Sequence, residues 1–409
     1  MKPEYINHLH VEGVGPFDML DVEFSPDVNV IIGVNGSGKT SILRSITHCF
    51  TNENRNYFRY RKDGFLWTYF MRDNNQHRSG GKPFGLEEDQ HYQQRLNTLY
   101  TRSPEEDGVV THQGYQPSYN ILAIGAHRYF DYVRVSGMIK ENNSGNQREE
   151  YAKMNPIYID RPMLPNIKQW MINRYFIIEK PWGKDLKYNW EKIMEAIPLL
   201  SPPNHKLQFL RIEEDLEPIF SVDDRECYLE ELSSGFKSVL SMIFSIVNWI
   251  EGVNDGDNRL IGNAIGTVLI DELETHLHPA WQKTILKTLT QIFPSLQFIV
   301  TTHSPYVIAS VSKGQVIMLP SISSEMNLRP TEQDYSGWRQ EYIMRDLMGT
   351  DEIVSPELGN IISELNSSLT ENNKEHFQTA FSRLRAILNG SDSILLNYER
   401  RGAEVFGEL

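Results

Sequence analysis

Residues Gly33-Val34-Asn35-Gly36-Ser37-Gly38-Lys39-Thr40 stand between an apolar run, Val28-Asn29-Val30-Ile31-Ile32, and a helix-like stretch, Ser41-Ile42-Leu43-Arg44-Ser45-Ile46. A Gly-rich loop of this spacing works only with a strand behind it and a helix ahead. That demand restricts the fold to an α/β sheet whose strand ends hold ligands. Glycines let the backbone curl until successive N–H groups point inward at a β-phosphate, and the positive end of the next helix adds to that field. Lys39 reaches the β- and γ-phosphates, and the Thr40 hydroxyl holds Mg²⁺. The predicted nucleotide-binding set is Asn35, Gly36, Ser37, Gly38, Lys39, Thr40 and Ser41.

At 409 residues the chain has room for two or three compact units with real cores. Lys plus Arg number 40 against 54 Asp plus Glu, a net charge of −14 that disfavours a non-specific nucleic-acid glove and leaves room for a local basic patch. The two cysteines, Cys49 and Cys227, lie far apart, which suits a reducing cytoplasm and no disulfide framework. The opening Met1-Lys2-Pro3-Glu4-Tyr5 does not read as a signal peptide. The longest apolar stretch, near Val239 to Ile250, is broken by Ser241, Ser245 and Asn248, so no membrane span is expected.

From Tyr5 to Phe24 apolar residues alternate around Gly13, Gly15 and Pro16, which predicts two short strands and a turn. Between about Thr51 and Asn120 the chain turns polar and aromatic. Arg55, Arg59, Arg61 and Lys62 interleave with Tyr57, Phe58, Tyr60, Phe65, Trp67, Tyr69 and Phe70. The pattern fits a β-layer with one solvated face, and it also fits a grip on nucleic acid. Arg78-Ser79-Gly80-Gly81-Lys82-Pro83 reads as a turn, and Asn120-Ile121-Leu122-Ala123-Ile124 as a buried strand ending in Gly125-Ala126-His127-Arg128. Glu141 to Gln147 reads as a mobile loop. Ile167 to Leu200, rich in Trp and Ile, reads as a helical insertion suited to a lid. Strand patterns return at Lys206 to Ile212. Past Met326 three helices are predicted: one from Ser355-Pro356 through Leu369, one from Phe377 to Leu388, and a third capped by Ser391. The predicted organisation is an N-terminal β-region with the loop (1–135), a mobile loop and helical lid insertion (136–205), the second half of the fold (206–325) and a helical C-terminal tail (326–409).

Three further motifs belong with the first. Gly266-Thr267-Val268-Leu269-Ile270 is a buried strand ending in Asp271-Glu272; an acid at that end holds Mg²⁺, here Asp271, and the next, Glu272, polarises the attacking water. Gln297-Phe298-Ile299-Val300-Thr301-Thr302 is another buried strand, followed by His303, with Ser304 as N-cap and Pro305 as first helical residue. His303 then shares a sheet edge with Thr40 and Asp271, in reach of a γ-phosphate. Leu232-Ser233-Ser234-Gly235-Phe236-Lys237-Ser238 opens a helix and offers an anion site. His276 and His278 read as part of a connecting turn, and Asp255-Gly256-Asp257 as a polar loop.

The order of loop, Leu-Ser-x-Gly signature, Ile-Asp-Glu acid strand and Thr-Thr-His-Ser-Pro segment resembles the ABC-type ATPase heads of RecF, SMC and OLD proteins, over roughly residues 3 to 320. The resemblance implies a P-loop NTPase head of α/β class that hydrolyses ATP with Mg²⁺, with Lys39, Glu272 and His303 as catalytic residues. It also implies that two heads sandwich two ATP molecules, Ser233 and Gly235 of one copy contacting the γ-phosphate held by the other. Ser234 and Phe236 replace the Gly and Gln of the transporter signature, no glutamine loop is present, and His127-Arg128 stands roughly where that loop would lie, without an assigned role. The absence of long heptads excludes SMC-type coiled-coil arms. A lone head with a short helical tail and no nuclease pattern resembles, more loosely, the stand-alone ATPases of bacterial anti-phage systems, such as the PtuA component of Septu and retron-associated relatives. That likeness implies a cytoplasmic dimer or higher oligomer that regulates a separately encoded nuclease or toxin. The alternatives are a RecF-like ATPase that binds DNA for repair and a transport ATPase subunit.

Overall fold

Four apolar runs predicted as buried strands lie side by side. Val28–Gly33, Ile121–Ile124, Thr267–Ile270 and Gln297–Thr301 are joined by a fifth strand, Val316–Leu319, that carries no motif. The sheet order is Val316–Leu319, Val28–Gly33, Gln297–Thr301, Thr267–Ile270, Ile121–Ile124, and every pairing is parallel. Parallel pairing brings all the C-terminal ends to one edge, the place where α/β folds bind ligands. The structure is a computed structural model and describes residues 4–50, 60–83, 99–100, 109–111, 120–128, 130, 132–139, 167–202, 205–254, 256–320, 325–348, 356–390 and 392–407.

Both faces of this sheet are covered, as near-continuous apolar strands require. Ile31, Leu269 and Ile299 face a core shared with Ile42, Leu43 and Ile46 of the helix Lys39–His48 and with Ile6, Leu9, Val11 and Leu20 of an N-terminal antiparallel sheet. That sheet begins with the expected hairpin, Glu4–Val14 against Phe17–Glu23, and continues into Tyr60–Arg72 and Asn75–Pro83. The last of these corrects the turn expected at Arg78–Pro83. Arg78 lies over the Trp67 ring at 4.4 Å and the Ser79 hydroxyl donates to Cys49 O at 2.6 Å, so cross-strand contacts hold the segment extended. In Tyr60–Arg72, Leu66, Trp67, Thr68 and Phe70 are buried while Phe65 and Tyr69 are half-buried, as a one-sided β-layer requires. Arg55, Tyr57, Phe58 and Arg59 lie outside the described residues, as do the side chains of Tyr60, Arg61 and Lys62.

On the other face Val30, Ile32, Val268, Ile270, Phe298 and Val300 pack into a larger core with the helix Ser234–Val253. The helices Ile167–Ile177 and Lys184–Ala196 contribute Trp170, Met171, Trp190 and Ile193 to the same core. Arg174 and Asn189 both bond to the buried Glu251 of the long helix, at 2.6 and 3.1 Å. The helical insertion is therefore packed against the head; Glu141 to Gln147 lies outside the described residues. Ser234–Val253 is long and apolar enough to cross a membrane, and here it is interior to the head.

The chain divides into two compact units, Met1–Gly349 and Thr350–Leu409. Glu325–Leu328 pairs with Phe17–Glu23, and Tyr335 and Ile343 join the larger core, so the head runs past the composition change near Met326. In the second unit the helices Pro356–Thr370, Lys374–Ile387 and Ser393–Phe406 enclose Ile361, Leu365, Phe377, Leu384 and Leu395. Asp392 caps the third helix, accepting from Ile394 N–H at 2.8 Å; Ser355 and Ser391 lie outside the described residues.

Candidate functional site

The loop between Val28–Gly33 and Lys39–His48 is shaped by its own residues. Gly38, the residue before the helix, has φ 102°, which a side chain would strain, and a Cβ there would meet the Phe17 ring at 3.0 Å. Lys39 is 7 % exposed, and its Nζ donates to Gly33 O at 2.9 Å and Val34 O at 3.0 Å. Burial holds its pKa below the usual lysine value, with Asp271, Glu274 and Glu272 pulling the other way.

Across the edge, Asp271 is 6 % exposed, and Thr40 Oγ1 donates to its carboxylate at 3.0 and 3.1 Å. Thr301 Oγ1 donates to the same carboxylate at 2.6 Å and accepts from Glu272 N–H at 2.8 Å. Loop, acid strand and the strand before His303 thus meet at one carboxylate, although Thr40 and Asp271 lie 231 residues apart. Glu272 follows at φ 48°, a left-handed conformation costing about 1–2 kcal/mol for a residue with a side chain. Its carboxylate is exposed and accepts from Thr275 Oγ1 at 3.2 Å. Glu274, absent from the predicted set, accepts from Thr302 Oγ1 at 2.6 Å and from the backbone N–H of His303. The imidazole of His303 is half-buried; burial first and Lys39 second hold its pKa below the usual 6.5, so it is neutral at pH 7.

Arg128 also belongs to this edge. It is 1 % exposed, and its guanidinium donates to the carbonyls of Gly125, Asp271, Glu272 and Leu273 and to Met242 Sδ. Burial lowers its pKa to about 10, a value at which it keeps its charge. Glu274 and Arg128 are functional candidates that the motif pattern left without a role, as it did Thr301 and Thr302 within the Thr-Thr-His-Ser-Pro segment. For Glu274 the signal was a second acid two places after Glu272; for Arg128 it was a lone cation at the end of an apolar strand.

The signature residues stand differently. Ser233 is exposed and caps its own helix, accepting from Phe236 N–H at 3.5 Å, and among the described residues no hydrogen bond joins Ser233 or Gly235 to the loop 33–40. Gly235 is buried, and a Cβ there would sit 2.3 Å from the Trp281 ring. Its lack of a side chain lets the helix seat on Trp281. His278 Nδ1 accepts from Ala280 N–H at 3.3 Å, the cap of a turn.

Among the described residues no group of three or more His, Cys, Asp or Glu forms a ready cage for a metal. A hydroxyl and a carboxylate in contact, Thr40 and Asp271, are nevertheless the hard oxygen donors that suit Mg²⁺, which binds through one or two protein ligands together with substrate phosphates.

Two family models match the chain. One, described as an AAA domain, covers residues 8–109 and so contains the loop; the other, an AAA domain whose description names the AbiEii toxin and a Type IV TA system, covers 188–309 and contains Ser233, Asp271, Glu272 and His303. The Septu protein PtuA of Bacillus thuringiensis is 28% identical over 406 residues, 95% of each chain. The chain is similar to AAA-domain proteins and to PtuA. The "Retron Vc95 probable ATPase" of Vibrio cholerae serotype O1 biovar El Tor is 24% identical over 380 residues, 76% of this chain and 72% of the relative. The Smc head domain of Pyrococcus furiosus superposes with a TM-score of 0.44 at 16% identity, over 80% of this chain and 96% of that one.

Proposed function

We propose that the chain binds ATP with Mg²⁺ at the common strand edge, hydrolyses it, and closes around it with a second copy of itself. The observation that carries this is the meeting of Thr40, Asp271 and Thr301 at one carboxylate, beside Lys39, Glu272 and His303. The N–H groups of Asn35 to Thr40, with the Ser41 turn behind them, cradle the phosphates, and Lys39 leaves its loop carbonyls to neutralise the γ-phosphate. Thr40 and Asp271 are the residues that would hold Mg²⁺, which when bound neutralises charge developing on the phosphates. Glu272, exposed at the edge, takes a proton from the attacking water. A neutral His303 offers one N–H to a γ-phosphate oxygen. Ser233 and Gly235 complete the partner copy's site, which the exposure of Ser233 at a helix N-terminus supports.

The nearly full-length similarity to PtuA supports a wider reading. In it the ATP-closed dimer, or a higher oligomer built from it, acts in the cytoplasm and regulates a separately encoded nuclease or toxin in anti-phage defence. The composite site is tested by sedimentation and ATPase assays over a range of protein concentrations. Specific activity is expected to rise with concentration, and Ser233→Arg to block the dimer while a single head still binds ATP. Hydrolysis strictly first-order in protein, with no dimer at any concentration, overturns the composite site.

A further inference from the structure

The buried guanidinium of Arg128 stands out because nothing in the folding of a hydrophobic head demands it. Taking a guanidinium out of water costs several kcal/mol unless its donors are matched. Here the matching groups are not carboxylates: every hydrogen bond it makes runs to a backbone carbonyl or to Met242 Sδ. Three of those carbonyls are consecutive, Asp271, Glu272 and Leu273. Successive carbonyls gathered on one point repel each other, and the middle residue also carries the cost of φ 48°. A planar fork with fixed charge offsets both. Met242 lies on the helix Ser234–Val253, which Ser233 caps, so one side chain touches both the acid turn and the signature helix. Ser238 of that helix adds a second tie, donating to Thr275 O at 3.3 Å.

We propose that Arg128 is a positioning residue for hydrolysis. It fixes the Asp271-Glu272-Leu273 turn so that the Glu272 carboxylate stands ready for water, and it links that turn to the helix that begins at Ser233. The assignment rests on the proposed role of Glu272 as general base. Lys at this position keeps the charge and loses the fork; Met keeps the stem and loses both.

The test measures kcat, KM, binding of a fluorescent ATP analogue and Tm for the wild type, Arg128→Lys and Arg128→Met, each also in a Glu272→Gln background. Arg128→Lys is expected to lower kcat about 10- to 100-fold with analogue affinity within about 3-fold of wild type. In the Glu272→Gln background it should lower kcat no further, because the group being positioned is already gone. If Arg128→Met does not fold, the Lys variant alone decides. An unchanged kcat in folded Arg128→Lys overturns the proposal, as does a loss of affinity in step with kcat or an equal loss in both backgrounds. A wild type without Glu272-dependent hydrolysis overturns the proposed function and this role together. Glu272-dependent hydrolysis indifferent to Arg128 overturns this role alone.

Discussion

The two halves of the nucleotide edge are built on opposite principles. The loop 33–40 takes its shape from within: Gly38 supplies the left-handed backbone at the start of the helix, and Lys39 bonds to carbonyls five and six residues behind it. The acid turn 271–274 takes its shape from far away. Arg128 reaches it across 143 to 145 residues, Thr301 and Thr302 across 28 to 30, and its Glu272 holds a conformation its own side chain disfavours. A locally encoded loop suits a cradle that must always be ready. A turn held by three other elements suits a group whose position answers to the rest of the protein.

The comparison breaks most sharply on a crossover of two variants. Glu272→Gln is expected to lower turnover about 100- to 1,000-fold while ATP affinity stays within about 3-fold, since the cradle is untouched. Lys39→Ala is expected to do the reverse in order, lowering ATP affinity first, by about 100-fold, because a charge-assisted contact to phosphate is lost. Stopped-flow binding and steady-state hydrolysis on both proteins check it. Normal turnover by the Gln variant would mean that the acid turn does not hold the base.

The same division explains what was legible. A Gly-rich loop is a pattern of neighbours, so Asn35 to Ser41 stood out, and so did the four buried strands, whose apolar runs need no partner to be recognised. Asp271 and Glu272 were legible as residues because an acid pair ends a buried run. Their support was not legible: Arg128, Glu274, Thr301 and Thr302 matter only because parallel pairing carries four distant strand ends to one edge. The packing of the helical insertion was not legible either, because Trp170 and Trp190 look alike in sequence whether they cover a surface or fill a core. Glu274→Ala sharpens the point with a smaller effect. It strips the acceptor from Thr302 Oγ1 and His303 N–H, and turnover is expected to fall about 10-fold, with a lower Tm and near-normal ATP affinity. An affinity loss larger than the turnover loss would place Glu274 with the cradle instead.

The smallest effect on activity, and the one that isolates the loop half, concerns acid. His48, in the last turn of the helix that starts at Lys39, is 2 % exposed, and burial lowers its pKa from 6.5 to about 4. Below pH 6.5 the unfolded chain takes up a proton that the folded chain refuses until about pH 4. Its contribution to stability is therefore complete above 6.5 and is lost as pH falls toward 4, at a slope approaching about 1.4 kcal/mol per pH unit. His303 shifts in the same direction on the acid-turn side, so the wild type carries both slopes. His48→Gln should leave turnover at pH 7.5 unchanged and flatten the fall of unfolding free energy between pH 6.5 and 4, as denaturant titrations at each pH would measure. If the slope persists in full, the acid sensitivity lies with His303 and its turn, and the loop half is as indifferent to pH as its local construction suggests.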